Sequence, residues 1–272
     1  MEISKKHIIV VAKIALVVLV TVILFFLFLR PRHEVRDLPQ ILKSGRLVVV
    51  TDSSSLGFAN IKDSVYGFQY EIIKAFADSL GVELQISEQN DMKETLQGLK
   101  DGEYDIVANF TPAFSEFKKG LTFIKPFFTT RQMFVQRLED KDSSRHLVRK
   151  QYDLAKDTIY LPFNSLYKIR IEHLANEIAD TIKVIEVKNV STEAMVSMVA
   201  QGRIKNTICP EIFASRALRK YPNLDISLPL GFKQEYGWVV NAKSKDLAEK
   251  LNNFLTDFTG SSAYWELFNK YY

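Results

Sequence analysis

Apolar positions along this chain fall into an order that is used twice. Arg46 to Thr51 (RLVVVT) is an unbroken β-branched run, the pattern of a strand buried on both faces. The polar stretch Asp52–Gly57 follows at once. From Phe68 to Leu80 the residues Ile72, Ile73, Phe76, Ala77 and Leu80 recur at helical spacing, and Gly81 supplies a C-cap. Val82–Ile86 alternates as a strand. Asp91 and Glu94 have capping spacing ahead of a second helix, Gly102 ends it, and Tyr104–Ala108 reads as a third strand. The order then returns. Thr158–Leu161 is a strand, Pro162–Ser165 a loop, and a helix carries Leu166, Ile169, Ile171, Leu174 and Ile178. Lys183–Val187 is a strand, Ser191 or Thr192 caps a helix that ends at Gly202, and Thr207–Cys209 is a further strand. Glu94–Val107 and Glu193–Ile208 share an acidic start, an amphipathic helix, a Gly turn and a strand, which predicts two α/β lobes rather than one sheet. Arg131–Arg137 and Glu235–Asn241 read as extended segments crossing between the lobes. Ser244–Phe258 and Tyr264–Phe268 read as helices that pack back on the first lobe.

The N-terminus follows a different pattern. Ile8 to Leu29 is apolar except for Lys13 and Thr21. At ~1.5 Å per residue this run spans about 33 Å, enough to cross a bilayer core, with Lys13 near one end able to snorkel. No small-residue cleavage site follows it, so the expectation is an uncleaved membrane anchor over residues 1–30. A charged, Pro-bounded linker, residues 31–40, comes next. Residues 41–272 form the folded body, with lobe 1 about 41–134 and 238–272 and lobe 2 about 135–237. Basic residues flank both sides of the apolar run and give no orientation bias; the seven residues before it favour a body on the outer side.

Composition narrows the function classes. The net charge of +4 includes +2 from the first 29 residues, so the body is near neutral and a nucleic-acid partner is not favoured. The single cysteine, Cys209, allows no internal disulfide and no Cys-based zinc cluster, and reads as a buried small hydrophobe. The four histidines are dispersed, and no phosphate loop or nucleophile elbow occurs. His173 and Glu177 read as a solvated helix pair, and Glu71 and Asp105 as a surface carboxylate and a turn residue. No metal, cofactor or catalytic set is expected.

The stretches FQYEIIKAFADSLGVEL, LKDGEYDIVANFTP and FIKPFF, in this order and spacing, resemble solute-binding protein family 3, the type II periplasmic binding proteins for polar amino acids. The layout also resembles the version in the non-catalytic half of membrane-bound lytic transglycosylase F. The resemblance runs from about Leu38 to Tyr272. It implies a two-lobed α/β fold with a two-strand hinge and a ligand in the cleft. By position it implies a first-lobe site of Asp52, Ser55, Asn109 and Thr111, and a second-lobe site of Asn164, Ser165 and Glu211. Phe117 stands where the family has the arginine that forks onto a ligand carboxylate, and the neighbouring lysines cannot supply that planar fork. Phe110, Phe114, Phe127 and Phe128 surround the cleft, mostly as lobe core, and Trp238 is packed. The expectation is a single-pass protein of the bacterial inner membrane with its soluble domain in the periplasm. That domain closes on a small polar ligand, amino-acid-like or a muropeptide, without catalysis. The alternative is a degenerate fold that docks a transporter or a peptidoglycan enzyme.

Overall fold

The computed structural model describes residues 13–21, 33–61, 64–112, 119–138 and 147–272. Two units separate, residues 1–34 and Val35–Tyr272. In the first, residues 13–21 are helical (α1). Among the described residues no helix is long and apolar enough to cross a membrane. Most of the expected anchor lies outside the described residues.

The second unit opens with α2 (Leu38–Ser44), capped by Asp37. Its first half continues through β1 (Arg46–Thr51), the short pair β2 (Ala59–Ile61) and β3 (Ser64–Tyr66), α3 (Phe68–Leu80), β4 (Glu83–Glu88), α4 (Met92–Lys100), β5 (Ile106–Pro112), β6 (Leu121–Phe123) and β7 (Phe128–Thr130). The second half comprises β8 (Gln132–Arg137), a 3-10 turn at Gln151–Lys156, β9 (Thr158–Pro162), α5 (Tyr167–Glu177), β10 (Lys183–Val187), α6 (Thr192–Ala200), β11 (Asn206–Pro210), α7 (Glu211–Lys220) and β12 (Leu224–Pro229). The chain then returns as β13 (Gln234–Asn241), α8 (Lys245–Thr259) and α9 (Ser262–Tyr271).

Two sheets result. The first has the order β4-β1-β5-β13-β6, with β7 also on β13; the second has the order β10-β9-β11-β8-β12. In the first, β1, β4 and β5 run parallel and the returning β13 is antiparallel to β5; in the second, β9, β10 and β11 run parallel and β8 is antiparallel to β11 and β12. Alternation along β1 sends Val49 into the large core and Val50 into the smaller cluster on the opposite face with Leu96, Leu99 and Val239. The large core continues from Val49, Ile106 and Trp238 of the first lobe to Met133, Cys209 and Phe213 of the second. Cys209 and Trp238 are both fully buried, and the Trp238 indole donates to Gln69 Oε1 at 2.6 Å. The C-terminal helices close the first lobe around Phe68, whose ring meets Tyr264, Phe268, Tyr271 and Tyr272 edge-on.

The crossings between sheets fall at Arg131 and within residues 230–233. Gln132–Arg137 therefore lies wholly in the second sheet and Gln234–Asn241 wholly in the first, and neither strand runs between lobes. The third strand also starts later and runs further than the expected Tyr104–Ala108. β13 pairs with it as far as Gly237↔Thr111 and Tyr236↔Pro112, and that ladder holds Asn109 and Thr111 in the strand instead of in a loop after it.

Candidate functional site

The C-terminal ends of β1 and β5 in the first lobe face the N-terminal ends of α5 and α6 in the second. Between them lies a cavity of about 60 Å³ lined by Asp52, Asn109, Phe110, Ser165, Tyr167 and Ser191, among others. The loop after β1 curls back on itself: Ser54 and Phe58 N–H groups both donate to the Asp52 carbonyl, at 3.0 and 3.1 Å. A Cβ on Gly57 would collide with the Asp52 carbonyl and carboxylate, so glycine there lets the loop close around Asp52.

Among the described residues that line the cavity, Asp52 is the only charged one. Burial pushes its carboxyl up to about 6, against an opposing contribution from the Ser54 side chain, while the Glu193 and Glu88 carboxylates push it further up. The folded form thus holds this proton more tightly than the unfolded form, whose value is 3.8. The stability it contributes is complete below the unfolded value and is lost as pH rises through about 6. Asp52→Asn imitates the protonated side chain. The variant is expected to melt like the wild type at pH 4 and above it at pH 7.5; parallel melting curves across that range would contradict this assignment.

Asn109 is buried, and its Oδ1 has no hydrogen-bond partner. Ser165 lines the same cavity, and its hydroxyl accepts the Tyr167 N–H at 3.3 Å, occupying one free donor of the α5 N-terminus. Asp52, Asn109 and Ser165 are the expected site residues that meet around this space.

The others are placed elsewhere. Ser55 bridges the lobes, donating its N–H to Glu193 Oε2 at 2.7 Å and its hydroxyl to Glu193 Oε1 at 2.8 Å. Asn164, in the left-handed region at φ 53°, gives its side-chain amide to Asp91 Oδ2 at 2.8 Å, a second bond between lobes. Thr111 is buried outside the cavity lining. Glu211 is the first residue of α7, and both its oxygens are taken by the Arg131 fork, at 2.7 and 3.1 Å, at the first crossing between sheets. Phe117 and Phe114 lie outside the described residues.

Sequence reasoning missed Glu193 and Asp91 as bonds between lobes, and Phe213, whose ring meets Phe110 across the interface at 5.7 Å. The acidic first turn of α6 after its Ser191 cap was the available signal for Glu193. Of the remaining carboxylates, Asp105 departs from its reading as a turn residue, being buried in an ion pair. Glu71 meets Lys270 and Tyr271, Asp105 meets Arg36, and Glu177 pairs with Arg170. Among the described residues no cluster of His, Cys, Asp and Glu could hold a metal ion.

Comparison with known proteins assigns this geometry. The sequence profile of the bacterial extracellular solute-binding proteins, family 3, matches residues 47–272. The chain belongs to that family. Among relatives of this family-3 chain, membrane-bound lytic murein transglycosylase F from Desulfosudis oleivorans is 25% identical over 241 residues, covering 89% of this chain and 52% of the relative. The chain therefore spans about half the length of the curated relatives it matches. Among solved structures, the P235GK mutant of ArgBP from T. maritima superposes with a TM-score of 0.72 at 24% identity, covering 86% of this chain and 98% of that one. The solute receptor for L-cysteine of Neisseria gonorrhoeae gives 0.73 at 14% identity, covering 87% and 93%. These likenesses establish the two-lobed fold of periplasmic binding proteins for the family-3 chain.

Proposed function

We propose that this chain is a membrane-anchored solute-binding domain on the periplasmic side of the bacterial inner membrane, which closes on a small polar ligand and performs no catalysis. One observation carries the reading. A buried amide oxygen without a partner, Asn109 Oδ1, lines an inter-lobe cavity together with a carboxylate, Asp52. Both groups are acceptors when Asp52 is ionised, so they match a ligand that brings N–H or O–H donors, such as an ammonium or a hydroxylated fragment. No described lining residue is cationic, so a free α-carboxylate would find no ionic partner among them. That argues for an amino-acid-like or muropeptide ligand in which the carboxylate is masked or points elsewhere. Solved neighbours include an ancestral arginine-binding protein bound to arginine, which supports a small-molecule ligand. The relatives named as murein transglycosylases support a place in the cell envelope.

The cavity of about 60 Å³ is well below the ~300–1,000 Å³ typical of ligand pockets, so entry requires the lobes to part. Titrating the chain with muropeptides, amino acids and small peptides tests the reading. One ligand per chain is expected, with Asn109→Ala weakening it by about tenfold, as the loss of a hydrogen bond to a charged group implies. A second reading is a degenerate fold that docks a transporter or peptidoglycan enzyme. The use of Ser55 and Asn164 on bonds between the lobes favours it. Its mark would be no binding by any member of that panel.

A further inference from the structure

Beside the small cavity, and opening on the same interface, is a larger crevice of about 530 Å³. Ser55 and Tyr66 of the first lobe and Glu193, Ser197, Arg216 and Lys220 of the second contribute to its walls. Its charges are unevenly answered. The Glu193 carboxylate is held by the Ser55 N–H and hydroxyl. Arg216, in the middle of α7, is half-buried, and its Nη1 is fully buried with no hydrogen-bond partner. No carboxylate among the described residues forms an ion pair with it. Its field reaches the Tyr272 phenol, whose oxygen is likewise buried without a partner. Lys220 lies one helical turn further along α7, its ammonium 5.2 Å from the centre of the Tyr221 ring, and the Tyr221 hydroxyl is 3.1 Å from Ser197 Oγ.

Burying part of a guanidinium without a counter-charge is costly, and a buried donor without a partner calls for an explanation. Here two cations and several hydroxyls face one carboxylate that is already satisfied, in a space of ligand size. We propose that this crevice binds the anionic group, carboxylate or phosphate, of a small molecule, with Arg216 as its principal partner and Lys220 as a second cation. The planar fork of arginine suits either group through paired hydrogen bonds, whereas Lys220 adds a point charge. The apolar wall of Val196, Phe213 and Ala217 would cover the body of that molecule. The site is distinct from the cavity of Asp52 and Asn109, neither of which lines it, and it does not depend on that cavity holding a ligand.

The test is calorimetric titration of the full chain at constant ionic strength with inorganic phosphate, acetate and the neutral acetamide. Saturable one-to-one binding of at least one anion and none of acetamide is expected; the stronger anion identifies the group. Arg216→Gln is expected to weaken binding by about tenfold or more, and Lys220→Gln by less, since charged hydrogen bonds outweigh a single exposed charge. Because Arg216 has no hydrogen-bond or ion-pair partner among the described residues, Arg216→Gln should melt no lower than the wild type, and Asn109→Ala should leave anion binding unchanged while weakening the ligand of the neighbouring cavity. Failure of both anions to saturate, or equal binding by Arg216→Gln, would overturn the proposal. So would marked destabilisation of Arg216→Gln, which would make the arginine structural.

Discussion

Replacing Arg36 by methionine is expected to lower the unfolding free energy by about 3–5 kcal/mol, the usual cost of removing one partner from a buried ion pair. Arg36 Nε donates to Asp105 Oδ1 at 3.0 Å, and Nη2 reaches the second oxygen. The Asp105 side chain is 2% exposed and that of Arg36 is 20% exposed, so solvent screens the pair little. The Val48 N–H also donates to Asp105 Oδ2, at 2.8 Å, which ties the start of β5 to β1. The carbonyl of Arg36 accepts the Ser244 hydroxyl at 2.6 Å, so the same residue joins the start of the lobe to the cap of α8. Burial raises the Asp105 pKa even with Arg36 in place, outweighing the Val48 N–H and the guanidinium. A raised folded value means that ionisation opposes folding, so stability from this group is lost as pH rises through that value. Without Arg36 the folded value moves further up. The deficit of the variant should therefore be larger at pH 8 than at pH 5. Urea unfolding at both values checks this, and a deficit below about 1 kcal/mol at pH 8, within the range of an exposed pair, would contradict it.

The second large effect concerns lobe closure. Glu193→Ala removes two hydrogen bonds to a carboxylate from the inter-lobe contact with Ser55. At about 1.5–3 kcal/mol for each bond to a charged group, less the part recovered by water at this half-buried position, the loss is on the order of 3 kcal/mol, or ~100-fold in the ratio of closed to open forms. Other fastenings include the Asn164–Asp91 bond, the Arg219 guanidinium on the Tyr272 carbonyl and the Phe110–Phe213 contact. The Arg131–Glu211 pair sits at the crossing, so it should act as part of the hinge and survive opening. Small-angle scattering should show a larger radius of gyration for Glu193→Ala than for the wild type, with the melting of the first lobe little changed. An identical radius would mean that the lobes are held by their shared apolar core rather than by this contact.

Elements whose periodicity covers several turns or a whole strand were legible in the sequence. Phe68–Leu80 and Lys183–Val187 have the bounds that their spacing predicts. α7 was missed because it starts directly after Pro210, the last residue of β11, with no loop and no side-chain cap to mark the change from strand to helix. β12 carries an alternation of Leu224, Ile226 and Leu228 that could have been read, whereas β6 and β7 at three residues are too short for any period to register. Asp52, Asn109 and Ser165, which meet at one cavity, were candidates through the resemblance to family 3 and not through the hydrophobic pattern. The pairing of Ser55 with Glu193 did not follow from that pattern either, because hydrophobic pattern reports which face of an element is buried and not which polar groups two lobes bring together on closing.

The central claim is that an inter-lobe cavity with Asn109 and Asp52 in its wall binds a small donor-bearing ligand when the lobes part. The most direct measurement is calorimetric titration of the wild type, Asn109→Ala and Glu193→Ala with one panel of muropeptides, amino acids and small peptides. The account predicts a ligand that binds the wild type one-to-one and is weakened by Asn109→Ala. Absence of binding by every compound, to the wild type and to the opened Glu193→Ala alike, would contradict it.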